Sequence, residues 1–107
     1  MARGEYLGEF EQVVLLAVAR LGKDAYGMRI RQEIEERTGR AVTIGAVYAT
    51  LDRLDTKAYV RPRDEAGGRA RRFFDIQAAG VDALETARQI QSRMWAGLRL
   101  KRSPKRP

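Results

Sequence analysis

The sequence contains neither cysteine nor histidine among its 107 residues. Without cysteine there are no disulfides and no thiolate chemistry, and nothing indicates export to an oxidising compartment. Without histidine the chain lacks the commonest general base and the commonest metal ligand. Glu33, Glu35 and Glu36 could be read as catalytic, but they alternate with arginines in the pattern of a solvated helix face. The composition therefore argues against an enzyme and predicts neither a cofactor nor a metal site.

Long apolar runs are also missing, since the longest one, Val13 to Ala19, is far too short to cross a bilayer. The N-terminal residues lack the pattern of a signal peptide. We therefore expect a soluble cytoplasmic protein with no membrane partner. A chain of this length forms one domain with a modest core, so additional burial in a dimer interface is expected.

Basic residues are plentiful, because 21 lysines and arginines against 14 acidic residues give a net charge of +7. Seventeen of the basic residues are arginine, whose planar guanidinium suits phosphates and guanine edges. This balance favours a polyanionic partner. A GC-rich genome would produce the same arginine bias, and composition alone does not decide between the two causes.

The first two predicted helices are amphipathic. From Gly8 to Leu21 the apolar residues recur at helical spacing, and Gly22 supplies the stop. Leu15 and Leu16 lie off that stripe, so we assign them to a dimer interface. A second helix is predicted from Ala25 to Thr38, with Asp24 as its N-cap and three i,i+4 arginine–glutamate pairs on its outer face: Arg29–Glu33, Arg31–Glu35 and Glu33–Arg37.

The third predicted helix begins at the N-cap Thr43 and buries Val47, Leu51 and Leu54. The outward residues of its leading end are small, so that end can enter a groove, and its free N–H groups can hold a phosphate. An ordinary amphipathic helix would show the same pattern, so this helix alone does not decide the function.

A predicted β-hairpin follows the third helix. Tyr59-Val60-Arg61 forms one strand, Pro62 marks its end or an edge position, and the return strand runs from Ala70 to Ile76. Gly67-Gly68 permits a tight tip, on which three arginines crowd: Arg69, Arg71 and Arg72. A solvated charge run is the alternative, but arginines at a hairpin tip add nothing to a core and favour a phosphate-binding wing.

A fourth helix is predicted from about Ala78 to Leu100, long enough to project beyond the rest of the domain. Its uncovered apolar residues are assigned, with Leu15 and Leu16, to a dimer interface: Leu84, Ala87, Ile90, Met94 and Leu98. The fold class is therefore mainly α with a small β-hairpin. We divide the chain into a winged helix-turn-helix DNA-binding domain (1–76), a dimerisation helix (77–100) and a basic disordered tail (101–107).

From Leu7 to Leu98 the chain resembles the PadR family of bacterial transcriptional regulators. The matching motifs are Tyr26-Gly27, the helix pattern of residues 43–54, the arginine-rich wing of residues 68–76, and Ala79-Gly80. The resemblance implies a homodimer that binds a roughly palindromic operator, usually as a repressor, through the third helix in the major groove. The short length is similar to the branch with a single C-terminal dimerisation helix. Ala58 stands where the family usually has glycine, and Gln77 where it usually has threonine.

The resemblance also implies contact residues on double-stranded DNA. The predicted phosphate contacts are made by Thr43, Tyr48, Lys57, Arg69, Arg71 and Arg72. The predicted base contacts are made by Ala46, Ala49, Thr50 and Arg53. Arg53 is equally compatible with an ion pair to Asp52, Asp55 or a carboxylate of another helix.

The sequence is also compatible with an effector site and with non-specific nucleic-acid binding. In some family members an aromatic residue at the dimer interface stacks on flat apolar effectors, which here would involve Gln91, Met94, Trp95 and Leu98. Packing of Trp95 within the interface is the favoured alternative. A non-specific architectural nucleic-acid-binding protein is the alternative to a sequence-specific regulator.

Overall fold

The computed structural model describes residues 6–64 and 71–102. These residues form a mostly helical fold with one two-stranded antiparallel hairpin, which confirms the predicted fold class. The elements in chain order are α1 (Glu9–Leu21), α2 (Gly27–Thr38), α3 (Ile44–Thr56), β1 (Val60–Asp64), β2 (Arg72–Ile76) and α4 (Ala78–Trp95). A 3-10 turn, Gly22–Asp24, separates α1 from α2.

The core lies between α1, α2, α3 and the hairpin. Its largest fully buried apolar side chains come from all of these elements: Val14, Leu15, Val18, Ile30, Ile34, Val47, Leu51, Leu54 and Val60. The seam predicted for α3 is confirmed, because Val47, Leu51 and Leu54 are fully buried.

The orientation of α1 differs from the prediction. Leu15 is fully buried in the core of its own subunit, so its assignment to a dimer interface was wrong. The buried residues of α1 are Glu11, Val14, Leu15, Ala17 and Val18, which lie on one side of the helix. Phe10 and Val13 are only partly buried. Leu16 points outward and is 48% exposed, so it remains available to a partner.

The start of α2 lies two residues later than predicted. Asp24 belongs to the 3-10 turn, and the N-cap is Tyr26, with an extended backbone. The carbonyl of Ala25 accepts a hydrogen bond from the Phe74 amide at 2.8 Å, and Tyr26 forms a β-bridge with Phe73. These pairings hold residues 25 and 26 extended, so the helix begins only after them.

The predicted ion pairs of α2 are present, but Glu33 is only 8% exposed and also lies 3.4 Å from Arg20 of α1, so it does not lie on a solvated face. Glu33 lies 3.2 Å from Arg29 and 2.7 Å from Arg37, and Arg31 lies 3.3 Å from Glu35. The hydrogen bond from Arg37 holds the pKa of Glu33 below its ordinary value, although partial desolvation opposes it. The charges of Arg29, Arg37 and Arg20 add to the lowering. Glu33 and Glu35 are therefore engaged in ion pairs that support the helix.

The hairpin is longer than predicted on its first strand. β1 continues through Pro62 to Asp64, in a register that pairs Val60 with Ile76 and Asp64 with Arg72. Pro62 is tolerated because each strand of a two-stranded sheet is an edge. Residues 65–70, which include Arg69 and the glycine pair of the expected tip, lie outside the described part of the chain.

The junctions around the hairpin are unusual at two positions. Ala58, just after α3, has a φ of 65°, a left-handed conformation that disfavours residues with a Cβ. This is the strain expected where the family usually has glycine. Gln77 is the N-cap of α4 but makes no capping hydrogen bond, since its Nε2 donates to the carbonyl of Asp75.

The last helix is shorter than predicted. α4 ends at Trp95 after 18 residues, roughly 27 Å at the standard rise. Gly97 has a φ of 74° and the Leu98 amide donates to the Trp95 carbonyl, so the chain turns there. The predicted extension to Leu100 was wrong, and Leu98 lies beyond the helix. Leu84 is partly buried against the core, whereas large apolar side chains of α4 are exposed at Val81, Ile90, Met94 and Trp95.

Candidate nucleic-acid interface

The leading end of α3 presents a small, exposed surface. Thr43 caps the helix, because its Oγ1 accepts a hydrogen bond from the Ala46 amide at 3.0 Å. Ala46, Ala49 and Gly45 are exposed, while the opposite side of the helix is anchored in the core. The amides of Ile44 and Gly45 have no partner within the helix, because no helical carbonyl precedes them. This end of α3 combines close approach with free backbone donors.

Tyr48 stands at the edge of that surface and is 41% exposed. Its ring lies directly against Gly27, the first residue of α2. A Cβ placed on Gly27 would lie 2.9 Å from Cε2 of Tyr48 and closer still to Cζ and the hydroxyl oxygen. The phenol therefore occupies space that only a glycine at position 27 leaves open.

Thr50 does not belong to the exposed surface. It is 1% exposed, and its Oγ1 accepts a hydrogen bond from Nη2 of Arg53 at 3.2 Å. A side chain that is buried against the core cannot reach a base edge, so the predicted base contact was wrong. Thr50 orients Arg53 instead.

The cations at the end of α3 converge on Glu11 of α1. Lys57 donates through Nζ to both carboxylate oxygens at 3.1 Å, and Nε of Arg53 lies 3.5 Å from one of them. The carboxyl also accepts the Gly8 amide at 2.9 Å, which closes the first turn of α1. Of the alternatives for Arg53, the structure contains the ion pair with a carboxylate of another helix. Lys57, predicted to contact phosphate, has an internal partner.

Opposing effects set the pKa of Glu11. Burial, the largest of them, raises it, because the side chain is only about one tenth exposed. The hydrogen bond from the Gly8 amide and the positive charges of Lys57 and Arg53 lower it. Together they outweigh burial, and the pKa lies below its ordinary value of 4.5. Glu11 therefore keeps its negative charge at neutral pH and holds the two cations.

The loop end of the hairpin, next to residues 65–70, carries an alternating stack of rings and guanidinium groups. Arg71 lies 4.3 Å from the ring centroid of Tyr26, whose ring meets that of Phe73 edge to face at 5.3 Å. Arg63 lies 5.1 Å from the Phe73 ring and pairs with both oxygens of Asp75. Arg72 makes a longer ion pair, 3.6 Å, with Asp64. Arg71 and Arg72 are both exposed, and Arg69 lies outside the described residues.

Sequence reasoning missed the roles of four residues at this surface. Glu11 could have been found as the third residue of a helix that starts after Gly8, which is where a capping carboxylate occurs. Arg63 and Asp75 stand opposite Phe73 and Arg61 in the hairpin register, so their pairing is diagonal and depends on knowing that register. The role of Tyr26 depends on a bridge between residues distant in the sequence.

The residues predicted to bind an effector do not form one pocket within a single subunit. A groove of about 820 Å³ runs between residues 6–12 and α4, and its lining includes Ile90 and Gln91. Met94, Trp95 and Leu98 do not line this groove and are exposed, with Trp95 at 54%.

Among residues 6–64 and 71–102, no helix has the length and apolar character needed to cross a bilayer. The same residues contain no group of three acidic side chains placed to hold a metal ion.

Residues 15–86 match the sequence profile of the "Transcriptional regulator PadR-like family". No protein with a curated description shows significant sequence similarity to the chain.

The structure is similar to several solved structures. A PadR family transcription regulator from Clostridium difficile R20291 is 23% identical, with a TM-score of 0.69 over 81% of this chain and 90% of that one. RosR of H. salinarum is 24% identical, with a TM-score of 0.72 over 91% and 84%. F93 from STIV, a winged-helix DNA-binding protein, is 17% identical, with a TM-score of 0.72 over 89% and 100%. These likenesses establish a shared winged-helix fold.

Proposed function

The chain belongs to the PadR-like family of transcriptional regulators, and from that premise we propose that it represses transcription by binding a roughly palindromic operator as a homodimer. Regulators of this family bind DNA and are not enzymes. The observation that carries the proposal is the exposed leading end of α3, where Ala46 and Ala49 lie on the surface and Tyr48 stands beside them. A bound dimer would block access of the transcription machinery to the covered duplex.

The small side chains support insertion of α3 into a major groove. Ala46 and Ala49 add little bulk, so the helix can approach the base edges and contact thymine methyl groups. The free amides of Ile44 and Gly45 would bind a phosphate at the groove edge, where the positive end of the helix dipole favours an anion. Arg53 is more than half exposed and is the remaining candidate for a hydrogen bond to a base.

Further phosphate contacts would come from the residues around this helix. Tyr48, which is 41% exposed as a residue, would donate its hydroxyl to one phosphate, with Thr43 close to the same end of α3. Arg71 and Arg72, exposed at the loop end of the hairpin, would contact an adjacent stretch of DNA backbone, and we retain Arg69 as a third wing contact. Lys57 would contribute only after leaving Glu11.

The proposed homodimer rests on apolar side chains that one subunit leaves uncovered. Ile90 and Met94 lie one turn apart on α4, and Met94 is 74% exposed. Leu16 and Leu98 add exposed apolar area, and Leu84 and Ala87, which are partly buried, complete the proposed interface. Two copies joined there would hold two α3 helices about 34 Å apart, the length of one DNA turn.

An effector response is a further part of the proposal. One subunit does not enclose Trp95, so a flat apolar ligand could be held only where two copies bring Trp95, Met94, Gln91 and Leu98 together. Titration with planar apolar compounds should quench the fluorescence of this single tryptophan and release bound DNA. If neither signal changes, Trp95 serves only to pack the interface.

Selection of bound sequences from a random pool of duplexes tests the main proposal. A sequence-specific regulator should enrich one inverted repeat, and its affinity for that duplex at fixed salt should exceed its affinity for a shuffled duplex by at least about 10³-fold. A non-specific architectural protein would bind both duplexes equally and enrich no motif, which would overturn the proposal.

A further inference from the structure

We propose that the dipeptide Tyr26-Gly27 sets the position of the wing relative to the recognition helix, with Tyr26 holding the wing and Gly27 seating Tyr48 of α3. Both are positioning residues, since neither needs to touch DNA. The inference rests on the proposed function, because it concerns the two elements that would contact DNA.

Tyr26 holds the wing through contacts of backbone and side chain. Its backbone forms the β-bridge with Phe73, and its ring packs edge to face on the Phe73 ring at 5.3 Å. The exposed face of the same ring carries the guanidinium of Arg71 at 4.3 Å. Such a cation–π contact restrains a long side chain that would otherwise move freely. Tyr26 therefore fixes both the β2 strand and the direction of Arg71, the residue that precedes it.

Gly27 positions the other element, the recognition helix α3, through its contact with Tyr48. It is buried at the first turn of α2, and the end of the Tyr48 ring lies where a Cβ would be. The glycines of the described chain that have a positive φ are Gly22, Gly39 and Gly97, so backbone conformation does not require glycine at position 27. Space for Tyr48 is the remaining reason for glycine there.

The two contacts are linked by one peptide bond. Tyr26 and Gly27 are adjacent, so their Cα atoms are held about 3.8 Å apart by a planar peptide. Arg71 and Tyr48 therefore contact neighbouring residues of one rigid dipeptide, which fixes their positions relative to each other. The three atoms nearest to a methyl group on Gly27 would all belong to the far end of the Tyr48 side chain, so we expect the ring to swing away while the fold persists.

The helix side is tested by a double-mutant cycle with Gly27→Ala and Tyr48→Ala, measured as affinity for the selected duplex and as thermal unfolding. Gly27→Ala should keep or raise the unfolding temperature, because alanine favours a helix. It should weaken binding by about tenfold, the value of one charge-assisted hydrogen bond. In the Tyr48→Ala background the same change should have no effect on binding. Unchanged affinity of Gly27→Ala, or an equal loss in both backgrounds, overturns the inference.

The wing side is tested by comparing Tyr26→Leu with Tyr26→Phe, which keeps the ring face under Arg71. Tyr26→Leu should reduce the slope of log affinity against log salt by about one, as expected for one lost phosphate contact. Tyr26→Phe should retain the wild-type slope. Equal slopes for the two variants contradict the role of Tyr26. If the wild-type protein selects no duplex, the proposed function fails. If the wild type selects a duplex but the variants bind it with unchanged affinity and salt slope, only the positioning role is contradicted.

Discussion

Lys57 of α3 donates hydrogen bonds from Nζ to both carboxylate oxygens of Glu11 in α1, each at 3.1 Å. The acid is 8% exposed and also lies 3.5 Å from Arg53. One carboxylate therefore neutralises positive charge at the end of the helix that is proposed to read DNA. This arrangement limits the number of cations that α3 presents to phosphates, and it ties α3 to the first turn of α1.

Replacing Glu11 by glutamine should release Lys57 and Arg53. We expect the slope of log affinity against log salt to become steeper by about one to two, because freed cations can contact phosphates. Binding to shuffled DNA should rise more than binding to the selected duplex, since phosphate contacts carry no sequence information. Titrations at several salt concentrations measure both effects. Glu36→Gln, which removes the same charge at an exposed position of α2, is the control. An unchanged slope in Glu11→Gln would show that Lys57 does not face DNA.

The same carboxyl makes stability depend on pH. The folded-state pKa of Glu11 lies below 4.5, so its stabilising effect is fully present above the unfolded-state value and is lost as pH falls through the folded-state value. The wild type should exceed Glu11→Gln in free energy of unfolding by about 1–2 kcal/mol at pH 7. That difference should shrink as pH falls below about 4.5. Urea unfolding of both proteins across this range measures it, and a difference independent of pH contradicts the role given to the ion pairs.

Ala58→Gly should stabilise the protein. Ala58 holds a φ of 65°, which costs a residue with a Cβ about 1 kcal/mol relative to glycine. We expect the free energy of unfolding to rise by up to about 1 kcal/mol, with DNA affinity unchanged. The matched control is Ala49→Gly in the exposed middle of α3, which should destabilise by about 1 kcal/mol. A loss of stability in Ala58→Gly would show that this conformation is not strained.

Met94→Asp should prevent dimer formation. Met94 is exposed on one subunit, and a carboxylate there would have to be buried without a partner if a second copy covered it. Sedimentation should show a dimer for the wild type and a monomer for the variant. Gln89→Asp, at an exposed position of α4 that points away from the side shared by Ile90 and Met94, should remain dimeric. A wild-type monomer at micromolar concentration, or a dimeric Met94→Asp variant, contradicts the proposed interface.

The elements that could be predicted from sequence are those with a single, clear periodic face. Val47, Leu51 and Leu54 fix the orientation of α3, and Thr43 fixes its start. In α1, apolar residues occur on several faces, so periodicity did not determine whether Leu15 or Val13 points inward. The burial of Thr50 could not be predicted for a similar reason, because threonine is small and partly polar and occurs both on buried and on exposed helix faces.

Other errors came from contacts between distant parts of the chain. The start of α2 depends on the pairing of Ala25 with Phe74, which no local pattern reveals. The partners of Lys57 and Arg53 depend on how α1 crosses α3, so Glu11 was missed. The end of α4 is a different case, because Gly97 is a local stop signal that could have been used.

Hydroxyl-radical footprinting of the selected duplex tests most directly whether two copies of α3 enter successive major grooves. We expect two protected patches related by two-fold symmetry, with centres about 34 Å apart along the duplex. Ala46→Glu, which adds length and negative charge to the exposed end of α3, should abolish both patches while leaving the unfolding temperature close to that of the wild type. Uniform protection along the duplex, or the same pair of patches with Ala46→Glu, would contradict the proposed mode of binding.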